Sequence, residues 1–244
     1  MLATVLVLAG LWTFAVGSGI GSGRLTNGEQ KPPIDQSDGS LASLTAAGKI
    51  EDLGQVVVGP SSCFKTITQA LKYVKENYKP ASDRLGRQTI LVEGGTPYLE
   101  RIVIDDSYPP GIHLVAEIDE RPILAPQGAD PIIKLDGVTR FEIEGFDLKA
   151  ERLKVAVELT GFLKGSKLKD LHILGFTKAG VLGNGPVGFG AKKRGVYLED
   201  LVFRAAAAEA VGMKFQAGAQ ETAQIKVRNC RFLGPMSDGI VLTE

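Results

Sequence analysis

Phe141-Glu-Ile-Glu-Gly-Phe-Asp-Leu148, Ser166-Lys-Leu-Lys-Asp-Leu-His-Ile173, Val196-Tyr-Leu-Glu-Asp-Leu-Val-Phe203 and Ile225-Lys-Val-Arg-Asn-Cys-Arg-Phe232 share one pattern. It reads apolar-x-apolar-x-[Gly/Asp/Asn]-apolar-x-apolar, broken only by Ser166, and the starts lie 25, 30 and 29 positions apart. The fifth position holds Gly145, Asp170, Asp200 and Asn229, the residue types that tolerate a left-handed backbone. One such residue between two short strands bends the chain while apolar side chains point inward on both sides. A second set of alternating pairs, Ile133/Leu135, Val157/Leu159, Met213/Phe215 and Ile240/Leu242, interleaves with the first, with Val181 at the equivalent place in the third turn. Several short strands per turn at a period of 24 to 32 residues predict a parallel β-helix, an all-β solenoid whose coils stack in register. Ile143, Leu168, Leu198 and Val227 should form one inward column, and Phe146, Leu171, Leu201 and Cys230 its neighbour. A β-sandwich is disfavoured, because hairpin dipeptides between strands of equal length are missing.

Upstream of the repeats the period is different. Ile67, Ala70, Leu71 and Val74 recur at helical spacing, and Thr66 with Gln69 forms a capping-box pattern, so a helix is expected over 66–78. Beyond Pro80 the alternation becomes strand-like at Thr89–Val92, Arg101–Ile104, Ile112–Val115 and Ile132–Leu135. Asn184–Arg194 and Arg204–Glu209 read as insertions between strands, and Ala205–Ala210 as a turn rather than a helix. Residues 55–244 are thus expected to be the β-helix with its helix, and residues 24–54, with Lys31-Pro32-Pro33 and Ser37-Asp38-Gly39-Ser40, a flexible linker.

The first 23 residues carry no charge, and Leu2–Val16 is nearly all apolar. The uncharged run of 23 residues is just long enough to cross a bilayer as a helix, and a membrane anchor is preferred over a cleaved signal peptide, which should open with Lys or Arg. Either reading places the β-helix outside the cytoplasm, in the cell envelope or periplasm, or secreted after cleavage. The missing basic flank, together with an ending at Glu244 midway through a coil, leads to the expectation of a fragment of a longer protein.

Composition narrows the function classes. Lys+Arg and Asp+Glu both number 28, so the formal charge is zero, which argues against a nucleic-acid binder. Two Cys and two His leave little room for a zinc cluster or a disulfide framework, and no cofactor is expected. Cys63 and Cys230 fall too far apart in the repeat for a disulfide.

Phe64-x-Thr66-Ile67-x-x-Ala70-Leu71, then Thr89-Ile-Leu-Val92, then Gly95-Thr-Pro-Tyr98-Leu-Glu100-Arg-Ile102-Val-Ile104, resembles the opening segment of right-handed parallel β-helix proteins of the pectin-lyase-like superfamily. The resemblance covers about Val56 to Glu244 and is specific for fold rather than chemistry. It implies that the helix caps the open end of the solenoid. The order of apolar span, linker and capped β-helix also resembles, more weakly, the extracytoplasmic part of some bacterial membrane-anchored serine/threonine kinases. The chain has no phosphate loop after a strand, no His-Arg-Asp and no Asp-Phe-Gly, so a kinase domain would lie upstream.

Pectin-cleaving relatives would need clustered carboxylates on adjacent turns of one face. Asp170 and Asp200 do stack, but at the bend position that Gly145 and Asn229 share, which marks them as structural. Asp105-Asp106 and Asp119-Glu120 read as solvated turns beside prolines, and Ser237-Asp238-Gly239 lacks the partners a hydrolase motif requires. His113 and His172 alternate with aliphatic neighbours and are expected to point outward without nucleophile partners. One asymmetry stands out: residues 149–194 hold ten Lys/Arg against three Asp/Glu, after an acidic stretch over 81–147. Lys164, Lys167, Lys169, Lys192, Lys193 and Arg194 lie near inter-strand bends and form the candidate site for an anionic ligand such as a uronate polymer. The competing expectation is that opposite charges of successive turns neutralise one another. The leading expectation is therefore a non-catalytic, membrane-tethered module for ligand binding or sensing. The alternatives are a polysaccharide-active enzyme whose active-site turns lie beyond Glu244, and a structural spacer.

Overall fold

A computed structural model describes residues 55–77, 87–117, 120–128, 130–185, 195–216 and 225–243. All strand pairing in it is parallel, and each strand meets its counterpart one coil before or after. The first sheet contains β1 (Gln55–Val58), β2 (Gln88–Val92), β4 (Ile112–Ala116), β7 (Glu142–Glu144), β10 (Lys167–Lys169), β13 (Val196–Glu199) and β16 (Ile225–Arg228). The second contains β5 (Ile123–Leu124), β8 (Asp147–Lys149), β11 (His172–Leu174), β14 (Val202–Arg204) and β17 (Arg231–Leu233). The third contains β3 (Ile102–Ile104), β6 (Ile133–Asp136), β9 (Val155–Thr160), β12 (Ala179–Asn184), β15 (Val211–Gln216) and β18 (Asp238–Thr243). From β4 onward the strands form five coils of three strands each: β4–β6, β7–β9, β10–β12, β13–β15 and β16–β18. The chain is a parallel β-solenoid.

The registers reproduce the expected columns. Leu114, Ile143, Leu168, Leu198 and Val227 are successive partners in the first sheet, and all but Val227 are fully buried. Each buried Leu or Ile contributes roughly 1.5–3 kcal/mol relative to exposure, a gain available only once a neighbouring coil covers it. Phe146, Leu171 and Leu201 are fully buried as well, while Cys230 in the fifth coil is half-buried. The bend residues behave as their side chains predict: Gly145, Asp170, Asp200 and Asn229 have φ of 87°, 49°, 57° and 52°. Both cysteines are free.

Between the second and third sheets, residue size is compensated. Gly180, Gly212 and Gly239 precede the partners Val181, Met213 and Ile240 in consecutive coils. A Cβ on Gly180 would lie 2.5 Å from the Phe203 ring, and one on Gly212 would lie 2.4 Å from Phe232. Phe203 and Phe232 stack at 5.1 Å between centroids, so the missing side chains make room for an aromatic column.

Helix α1 spans Ile67–Asn77 and buries Ile67, Ala70, Leu71 and Val74 against β1 and β2. Its N-terminus is held more fully than the capping box alone predicts. Gln69 N–H donates to Thr66 Oγ1 at 3.1 Å, and Gln69 Oε1 accepts from Lys65 N–H rather than from Thr66. The Glu100 carboxylate, brought from the loop before β3, accepts the Ile67 and Thr68 N–H groups at 2.7 and 2.8 Å. A carboxylate on first-turn donors also meets the positive end of the helix dipole. The expected membrane span over 1–23, the expected linker over 24–54 and residues 186–194 of the expected insertion Asn184–Arg194 lie outside the described residues. Among the described residues no helix is long and apolar enough to cross a membrane.

Candidate functional site

Outward-facing positions of the first sheet carry charge in an alternating order along the stack. Glu142 and Glu144 of β7 face Lys167 and Lys169 of β10, and Glu199 of β13 follows. Lys167 Nζ lies 2.9 Å from Glu199 and 3.8 Å from Glu142; Lys169 Nζ lies 2.5 Å from Glu144. Burial alone would raise the Glu144 carboxyl, but the Lys169 bond and charge outweigh it and hold it below its ordinary range. The Glu144 bond likewise raises Lys169. Lys167 and Lys169 therefore lie on a strand face, Lys169 directly before the Asp170 bend, and their charge is met by adjoining coils.

Other charged groups also act across coils. Arg121, in the loop before β5, donates through Nε to Asp147 Oδ1 and through Nη1 to Asp170 Oδ2, both at 2.8 Å. Its Nη2 donates to the carbonyls of Phe146 and Asp170. Asp170 is thus a bend residue with a charged anchor. His172 Nδ1 lies 3.1 Å from Asp147 Oδ1 on the outer face of the second sheet. His113 is half-buried on the first sheet, more enclosed than an outward-pointing residue on a strand was expected to be. Asp105 accepts from the Ser107 hydroxyl and N–H, bonds that lower its pKa and define it as a turn-forming carboxylate.

Lys164 is placed differently. At the corner where the chain passes from the third sheet to the first, the loops of three successive coils form an open groove of about 400 Å³. It is lined by Asp106, Tyr108 and Pro110 before β4, by Gly137, Thr139 and Arg140 before β7, and by Lys164 before β10. The Arg140 N–H donates to the Lys164 carbonyl at 2.9 Å, which fixes the two cationic residues on neighbouring coils. Arg140 adopts a positive φ of 54° and is exposed, as is Lys164. Among the described residues neither side chain has an ion-pair partner. Lys75 of α1 lies over the Tyr108 ring at 4.6 Å from its centroid and donates to Ser107 at 2.6 Å. Burial, and then the Asp105 charge, push the Tyr108 phenol above its ordinary pKa, so it is a neutral hydroxyl at pH 7.

The groove can take an anion at Arg140 and Lys164 and offer the Tyr108 and Asp106 oxygens to hydroxyl groups. Of the six basic residues singled out from the sequence, Lys164 lines this groove, Lys167 and Lys169 lie on the first-sheet face, and Lys192, Lys193 and Arg194 fall outside the described residues. Arg140 and Tyr108 were not singled out; they join Lys164 only through the packing of loops from different coils. The chain matches no family model, no curated protein and no solved structure.

Proposed function

We propose that this protein is a non-catalytic module that binds an anionic carbohydrate, held at a membrane by residues 1–23 and displayed outside the cytoplasm. The observation that carries the reading is the meeting of Arg140 and Lys164 beside Tyr108 in one groove, with no carboxylate among the described residues paired to either cation. Arginine offers a planar fork suited to a uronate carboxylate, and lysine adds a second charge one coil away. The right-handed coil sense, kinship with the pectin-lyase-like superfamily and a capping role for α1 belong to the same reading. The burial of α1 against β1 and β2 supports the last of these.

Binding of polygalacturonate and of neutral dextran to the full chain, at low and high salt, tests the proposal. Polygalacturonate should bind and weaken with salt, dextran should not bind, and Arg140→Ala with Lys164→Ala should weaken the uronate by roughly tenfold. Equal binding of both polymers, or no binding, overturns the ligand class; turnover of pectate overturns the non-catalytic role.

A further inference from the structure

We infer that His113, Glu142 and Glu144 form a binding site for a divalent transition-metal ion, separate from the groove. His113 lies on β4 and is the register partner of Glu142 on β7, with Glu144 two positions along the same outward face. One ligand atom from each of the three side chains lies within 4.8 Å of the other two. His113 Nε2 is shielded from solvent, has no hydrogen-bond partner, and points at Glu144 Oε2 from 3.6 Å. A buried imidazole nitrogen without a partner is uncommon in folded proteins. Here it faces two carboxylates.

The surrounding cations aim this cluster rather than fill it. Lys169 holds Glu144 by Oε1 and leaves Oε2 directed at His113. Lys167 has Glu199 at 2.9 Å, so its 3.8 Å approach to Glu142 is the contact that a bound ion displaces. Arg87, 53% exposed, reaches Glu142 Oε2 at 3.2 Å and is free to swing into solvent. With metal–ligand bonds of about 2.1 Å, donor atoms around a tetrahedral ion stand about 3.4 Å apart, so a modest side-chain rotation closes the set. One imidazole and two carboxylates suit zinc, manganese or iron(II), and water completes the shell. Such an ion would tie the first coil to the second.

Titration of the metal-free full chain with zinc chloride, in non-ionic detergent on account of Leu2–Val16, tests the site. The chain has only two histidines, His113 and His172, so the assignment is decidable. We expect one ion per chain and a raised thermal midpoint. His113→Ala and the near-isosteric Glu144→Gln should each weaken binding by roughly tenfold or more, and His172→Ala should leave it within about twofold. Circular dichroism establishes that each variant is folded. Absence of zinc binding to the wild-type chain overturns the inference, as does binding that survives both first-sheet substitutions or that is lost with His172→Ala. None of these outcomes bears on polygalacturonate binding at the groove.

Discussion

Arg121 reaches Asp170 at 2.8 Å although 49 positions of chain separate them and the second coil lies between. The same guanidinium holds Asp147 and two backbone carbonyls, so one side chain links three coils at the bend. Replacement by methionine keeps part of the packing and removes every bond. Because Arg121 is 30% and Asp170 46% exposed, water compensates part of the loss. Arg121→Met is expected to lower unfolding stability by about 1–2 kcal/mol in urea, with an unchanged slope. A cost near zero would mean that the link is ornamental.

The glycine column tests the size compensation. Gly212→Ala would place its Cβ 2.4 Å from Phe232 and 2.6 Å from the Gly239 carbonyl. Such contacts force movement of an aromatic ring or of backbone, and overpacking of this kind costs about 1–3 kcal/mol. Gly185 has nothing within 4 Å of a built Cβ but a φ of 78°, so Gly185→Ala meets only backbone strain. Thermal unfolding should show the Gly212 variant losing more, and Phe232→Leu should partly rescue it.

At the bend the chemistry is conformational. Asp200 has φ of 57° and accepts a 3.1 Å bond from Asn229 Nδ2. Asp200→Gly loses that bond but relieves the backbone, and is expected to change stability by no more than about 0.5 kcal/mol. Asp200→Val places a branched side chain in the left-handed region and is expected to cost about 1–2 kcal/mol. Chemical denaturation of the two variants side by side gives the comparison.

The Glu144–Lys169 pair predicts a pH window. Glu144 has a lowered folded pKa, so its contribution is present above the unfolded carboxyl pKa and is lost as pH falls through the lower folded value. Lys169 has a raised folded pKa, so its contribution is full below the unfolded ammonium pKa and is lost as pH rises through the higher folded value. Lys169→Gln, with Glu144→Gln alongside, should therefore reduce stability by about 1 kcal/mol on the plateau between those limits, with the difference from wild type shrinking at both extremes. A difference independent of pH would show that packing, not charge, holds the pair.

How much of this was legible in the sequence depended on whether a residue lies inside the repeat. Leu168 and Leu198 could be aligned because each stands two positions before its bend residue, Asp170 or Asp200, within the same apolar alternation. Gly180, Gly212 and Gly239 also carry a readable signal, since each directly precedes an aligned apolar residue, yet their purpose appears only once Phe203 and Phe232 are in place. Arg140 and Lys164 lie in loops of different length, where the repeat gives no register, and Tyr108 comes from the coil before. Glu100 and the α1 amides are 32 and 33 positions apart, and no local pattern connects them.

Because every strand among the described residues bonds only to the strand above or below it, this part of the chain resembles a column of coins more than a globe. A fault at Arg140 disturbs the loops of Tyr108 and Lys164 and fades within a level or two, leaving the aromatic pile near Phe232 intact. Recognition surfaces on such a body can therefore be rewritten one storey at a time, without renegotiating the whole interior.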